Sequence, residues 1–142
     1  MNVFKVVLLF LISLSLLSCN KDNDFCKCNM ANLNLYQTYW EGTILLKESG
    51  QERSFQIKVF FDSINHGEYS ITNFSPDIPY SKKSIFTYKI DGKMLLIEDG
   101  YNNILLGYWF VTNVNEEGDG LVLQHNIIDE VSNSVLFLTK KY

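Results

Sequence analysis

From residue 37 onward, hydrophobic and polar side chains alternate in short runs separated by turn residues. The runs recur roughly every 8 to 12 positions, the pattern of an antiparallel all-β domain. The stretch 54–62 is the clearest: Phe55, Ile57, Val59 and Phe61 share one face, and Ser54, Gln56, Lys58 and Asp62 the other. Side chains alternate across a strand, so one face is core and the other is wet. The preceding run sets Trp40, Gly42, Ile44 and Leu46 opposite Glu41, Thr43 and Lys47, and Glu48-Ser49-Gly50-Gln51 joins the two as a hairpin. Further runs at 68–73, 85–90, 94–98, 104–114, 121–127 and 135–140 bring the total to about eight. The longest irregular stretch, 75–84, holds both prolines, and Asp91-Gly92 predicts a tight type I′ hairpin.

Consecutive strands with short links prefer to lie side by side, which predicts an up-and-down meander. Eight strands suffice to close a barrel, and closure removes edges that would otherwise pair with other chains. The expected fold class is therefore an antiparallel up-and-down barrel of about eight strands spanning residues 37–142, in a chain with room for one folded domain. Alternation blurs at Leu95-Leu96-Ile97, Gly107-Tyr108-Trp109-Phe110-Val111 and Leu136-Phe137-Leu138, predicting apolar residues on both faces there. Segment 30–36 is expected to cover part of that outer surface.

The N-terminus changes the picture. Lys5 is followed by Val6-Val7-Leu8-Leu9-Phe10-Leu11-Ile12 and Ser13-Leu14-Ser15-Leu16-Leu17, an apolar run short for a bilayer span and typical of a cleaved secretion signal. Its end, Leu16-Leu17-Ser18-Cys19, resembles the bacterial lipobox, in which the cysteine is acylated and becomes the new first residue. That implies a signal peptide over 1–18, a lipidated N-terminus and tether over 19–36, and a membrane as partner through lipid on Cys19. Two or three acyl chains, at about 0.8 kcal/mol per buried CH₂, give durable attachment where one does not. The following Asn20-Lys21-Asp22-Asn23-Asp24 resembles the lysine-plus-acid export signal of surface lipoproteins in the Bacteroidetes. The expected location is the outer membrane, at the cell surface or on the periplasmic face.

With Cys19 lipidated, Cys26 and Cys28 remain. Their spacing admits a tight local disulfide, intermolecular or free thiols, or a metal site. The metal reading lacks ligands, because His66 and His125 lie far along the chain and no second Cys-x-x-Cys exists. No metal and no cofactor are expected.

A net charge of -4 offers no basic patch for phosphates, which argues against nucleic acid as a partner. Gly-x-Ser-x-Gly, His-Glu-x-x-His, phosphate-loop and complete calcium-loop motifs are all missing, and the acidic groups fall mostly in turns such as Asp99-Gly100 and Glu116-Glu117. Catalysis is not expected. An eight-strand barrel is near the size at which side chains fill the interior or leave room for one small ligand. The aromatic supply suits either outcome. The candidate contacts for a small apolar ligand are Trp40, Phe55, Tyr69, Tyr88, Trp109 and His125, the last sharing a strand face with Leu121, Leu123 and Ile127. Trp40 is expected to pack inward at the closed end, and His125 reads first as a buried, hydrogen-bonded core residue and only second as a ligand contact. The competing reading is a tethered protein- or glycan-interaction module, with loop 75–84 presenting Tyr80, Lys82 and Lys83. A monomer is expected in either case.

The lipobox, Tyr39-Trp40-Glu41-Gly42, the Tyr88-Lys89-Ile90-Asp91-Gly92 hairpin and the closing Leu136-Phe137-Leu138-Thr139-Lys140-Lys141 together resemble the lipocalin-like lipoprotein domains of Bacteroidetes. The resemblance covers most of residues 37–142 and implies a small barrel more than an activity. It departs from true lipocalins in reversing their Gly-x-Trp to Trp40-Glu41-Gly42 and in lacking an arginine near the chain end, Arg53 being the sole arginine. Replacing Cys19 with Ser is expected to abolish palmitate labelling and to release the protein from the membrane fraction. Undiminished labelling would refute the lipid assignment.

Overall fold

The computed structural model describes Met30, residues 33–125 and residues 133–141. The expected signal segment, Cys19, Cys26, Cys28 and Ile127 lie outside the described residues. Eight antiparallel strands follow one another around a closed barrel: β1 (Thr38–Glu48), β2 (Gln51–Phe61), β3 (His66–Ile71), β4 (Lys83–Asp91), β5 (Met94–Glu98), β6 (Gly107–Val114), β7 (Gly120–His125) and β8 (Ser134–Lys141). Each pairs with its neighbour in sequence, and β1 closes on β8 from Tyr39 opposite Lys141 to Leu46 opposite Ser134. The meander and its closure match the sequence reading.

The turns differ in detail. Ser49 and Gly50, between the paired Glu48 and Gln51, both have positive φ (50° and 78°), the type I′ pattern. In the β4–β5 hairpin Asp91 is still paired, with Met94, and the loop is Gly92-Lys93. Only Gly92 has positive φ (56°) there, the type II′ pattern rather than the I′ expected at Asp91-Gly92. The sixth strand starts at Gly107, not at 104, because residues 99–106 turn over the barrel rim.

The inward positions of the strands are mostly apolar, with Thr38 and Ser134 as buried polar exceptions. Trp40, Ile44, Phe55, Ile57, Val59, Phe61, Tyr69, Ile71, Phe86, Tyr88, Leu95, Ile97, Trp109, Val111, Leu121, Leu123, Leu136 and Leu138 form one core, each at most 5% exposed. An interior void able to hold a ligand would leave its lining accessible to water-sized molecules, so these values describe a filled barrel. Phe61, Phe86 and Tyr88 meet edge to face with ring centroids 5.0–6.4 Å apart, the arrangement that adds to area burial.

Both ends are plugged. At the end where β1 begins, Met30 donates its backbone N–H to Gly92 O (2.8 Å), Leu33 lies beside Gly118, and Met30 and Leu35 are buried in the core. Met30 and residues 33–36 thus seal an end of the barrel instead of covering the outside of β5, β6 and β8, where Tyr108, Phe110 and Phe137 remain exposed. At the opposite end the 99–106 turn inserts Ile104 and Leu105.

Gly42 marks the tightest point of the closure. A Cβ there would stand 1.7 Å from the Phe137 carbonyl oxygen, so no side chain fits between β1 and β8. Two substitutions test this seam. Trp40→Ala is expected to cost about 3–5 kcal/mol, the range for emptying a buried tryptophan site. Gly42→Ala should cost at least ~1–3 kcal/mol through overpacking. Urea unfolding measures both, and wild-type midpoints would refute the seam as described.

Candidate functional site

Five of the six interior residues expected to contact a ligand have polar atoms or rings committed to the fold. Trp40 donates Nε1–H to Thr38 Oγ1 (2.8 Å), and that hydroxyl donates to Leu35 O (2.5 Å), linking the tryptophan to the end-sealing segment. Trp109 donates Nε1–H to Leu105 O (2.7 Å). The Tyr69 hydroxyl donates to Ser81 O (3.1 Å) and accepts from Ile104 N–H (3.2 Å), tying β3 to two loops of the upper rim. Tyr88 donates to Ser63 O (2.7 Å) in the β2–β3 turn. Phe55 is 5% exposed in the same core. Burial pushes both the Tyr69 and Tyr88 phenols above their ordinary range.

His125 stands apart from these. It sits half-buried at the end of β7, its ring 5.2 Å from that of Trp109, with Nδ1 2.8 Å from Tyr108 O. A carbonyl accepts only, so Nδ1 carries the proton in this contact. Gly107, at φ 116°, passes directly beneath the ring: a Cβ there would lie 2.6 Å from His125 Cε1.

Loop 75–84 does not present its tyrosine outward. Tyr80 packs against the core and its hydroxyl donates to Glu48 across the rim. Desolvation, reinforced by the Glu48 carboxylate, pushes the Tyr80 phenol up to about 12. Lys83, by contrast, enters β4 and faces outward.

An open groove of about 630 Å³ lies on the outer wall of β1 to β4. Register builds it. Tyr39 is opposite Phe60, Phe60 opposite Glu68, and Glu68 opposite Ile85, so these four side chains form one row across the strands. The adjacent row, two residues along each strand, is Glu41, Lys58, Ser70 and Lys83. Tyr101, 80% exposed on the 99–106 turn, and Ser81 and Ser84 complete the walls. The first row is mainly apolar and the second is polar and charged.

Within the second row Lys58 Nζ lies 3.2 Å from Glu41 Oε1, and Tyr39 donates its hydroxyl to the same carboxylate (3.1 Å). Hydrogen bonding from Lys58 and Tyr39 holds the Glu41 carboxyl below its usual range, and the Glu41 contact holds the Lys58 ammonium above its own. Lys83 makes no salt bridge among the described residues. Of the groove residues, the sequence reading singles out Tyr69 as an interior ligand contact and Lys83 as a loop residue, and none as part of an outer groove. The outward residues of a barrel wall carry no periodic signal of which neighbours they will meet. Among the described residues no group of three or more His, Cys, Asp or Glu side chains is placed to hold a metal ion.

The Tyr80–Glu48 contact has a consequence at alkaline pH. The folded state holds the Tyr80 proton up to about 12, while the unfolded chain releases it near pH 10. Its contribution to stability is therefore complete below pH 10 and declines as pH rises from 10 to 12. Beside the raised Tyr69 and Tyr88, phenolate absorbance during a pH titration is expected to show a tyrosine ionising at about 12 that disappears in Tyr80→Phe, and an unchanged titration would refute the contact.

No protein-family model matches the chain, and neither a curated protein nor a solved structure was found to match it.

Proposed function

We propose that this chain is an exported lipoprotein, held at the outer membrane by lipid on Cys19, whose filled barrel is a rigid binding module and whose outer β1–β4 groove takes an extended glycan. The observation that carries the reading is the combination of an interior occupied by its own side chains with an open, two-row groove on the wall. A carrier of a small apolar molecule needs an enclosed apolar space. Here the aromatic residues that would line that space pack on one another and on both end plugs.

The choice of a glycan follows from the groove's chemistry. A closed barrel exposes no free strand edge, so a peptide has no ladder to extend, and a charged row through the groove is unsuited to the apolar face of a helix. A sugar ring has apolar C–H faces and a rim of hydroxyls. Phe60, Tyr39 and Tyr101 offer rings to the faces, while Ser70, Ser81, Ser84, Glu68 and Lys58 offer donors and acceptors to the rim. The groove's volume lies in the usual range for ligand sites. The lipid tether supports the same reading, since it keeps such a surface at a cell boundary.

The test uses detergent-solubilised full-length protein on a panel of soluble polysaccharides, with retardation in polysaccharide-containing native gels as the readout. Phe60→Ala and Tyr101→Ala should each weaken retention about tenfold, or ~1.4 kcal/mol, without lowering the melting temperature. Retention that survives both changes would refute the groove. A lipid or other apolar molecule co-extracted from the purified protein in stoichiometric amount would restore the carrier reading.

A further inference from the structure

We infer that the groove selects an acidic saccharide, with Lys58 and Lys83 flanking Ser70 as the subsite for a carboxylate or sulfate on the sugar. This rests on the glycan reading of the groove and names the class of ligand it takes. In sequence the two lysines are far apart and on different runs. Register brings them onto one row: Lys58 is opposite Ser70, and Ser70 is opposite Lys83. Adjacent strands lie about 4.8 Å apart, so the two backbones stand roughly 10 Å apart with the small Ser70 side chain between them. Long flexible stems on either side of a short hydroxyl leave an open seat that both ammonium groups can approach.

The charge balance points the same way. The chain as a whole carries a net charge of -4. The groove lining gathers two ammonium groups, Lys58 and Lys83, with one carboxylate, Glu68, and Glu41 borders Lys58 from outside the lining. Glu41 engages Lys58 from the strand on its far side, at 3.2 Å. An ammonium has three donors, so one carboxylate contact leaves others for a ligand. Lys83 has no such partner among the described residues, and its charge is the one left to be met. Glu68 sits in the neighbouring apolar row, opposite Phe60 and Ile85. There it accepts from sugar hydroxyls and penalises an anion displaced from the Lys58–Lys83 seat. Charge-assisted hydrogen bonds to an anion are the stronger ones, so occupation of this seat gives preference over a neutral sugar of the same shape.

Two matched pairs of polymers test this with the full-length protein: polygalacturonate against its methyl ester for the carboxylate, and dextran sulfate against dextran for the sulfate. The acidic member of at least one pair should bind roughly tenfold more tightly at low salt, with the preference shrinking as salt screens the contact. Lys83→Gln is expected to remove that preference while keeping the binding of the neutral member, and Lys83→Glu to reverse it. Lys89→Gln, a surface lysine outside the groove that pairs with Glu98, serves as the control and should change nothing. Lys83 is exposed at the start of β4, so these variants should melt as wild type does. Equal binding of both members of each pair, or a preference untouched by Lys83→Gln, overturns the acidic subsite while leaving the groove reading in place. Retention of none of the four polymers overturns both.

Discussion

The pairing of β1 with β8 is the constraint on which the rest of this protein depends. Seven of the eight strand pairs join neighbours in the chain, and only this one brings the two ends of the domain together. At this pairing Gly42 admits no side chain against the Phe137 carbonyl. Removing that contact would open the sheet and expose two edges to pairing with other chains. Trp40, two residues before Gly42, anchors the same strand from inside by its hydrogen bond to Thr38 and through it to Leu35. Closure and end-sealing are thus one mechanical unit.

Closure has a cost that the aromatic side chains meet. A small barrel lined by Trp and Tyr must satisfy their N–H and O–H groups away from water, or lose the benefit of burying the rings. Each such group finds a backbone carbonyl or hydroxyl in a rim segment: Trp40 through Thr38, Trp109 at Leu105, Tyr69 at Ser81 and Tyr88 at Ser63. The rims are therefore held by the core's own polar atoms, and the loops become plugs. Interior volume that a ligand would need is spent on this network. The open groove lies instead on the outer wall.

On that wall, register does what a loop does in many binding proteins. Residues from four strands are aligned across the barrel by ladder pairing, and their positions are as rigid as the backbone hydrogen bonds between them. The apolar row and the charged row differ by two residues along each strand, so the groove's amphipathic cross-section follows from the pleat itself. Tyr101 adds an exposed wall from a turn whose Ile104 and Leu105 side chains are buried in the upper plug.

The sequence by itself determined the strand count, the meander and the inner face. Period-two alternation is a local property, and short links leave few ways to arrange consecutive strands. Phe55, Ile57, Val59 and Phe61 are legible as core from their own run, and so is the hairpin at Ser49-Gly50. Tertiary structure alone decided how the interior aromatics spend their hydrogen bonds, that Met30 and residues 33–36 seal an end rather than a face, and that residues 104 and 105 turn inward as a plug. It also decided the groove. Tyr39, Lys58, Ser70, Lys83 and Ile85 look like ordinary outward positions one strand at a time, and they become a site only when strand register sets them side by side. The pattern along one strand reports which side of the sheet a residue faces; which residues of other strands it meets there depends on pairings that no single run encodes.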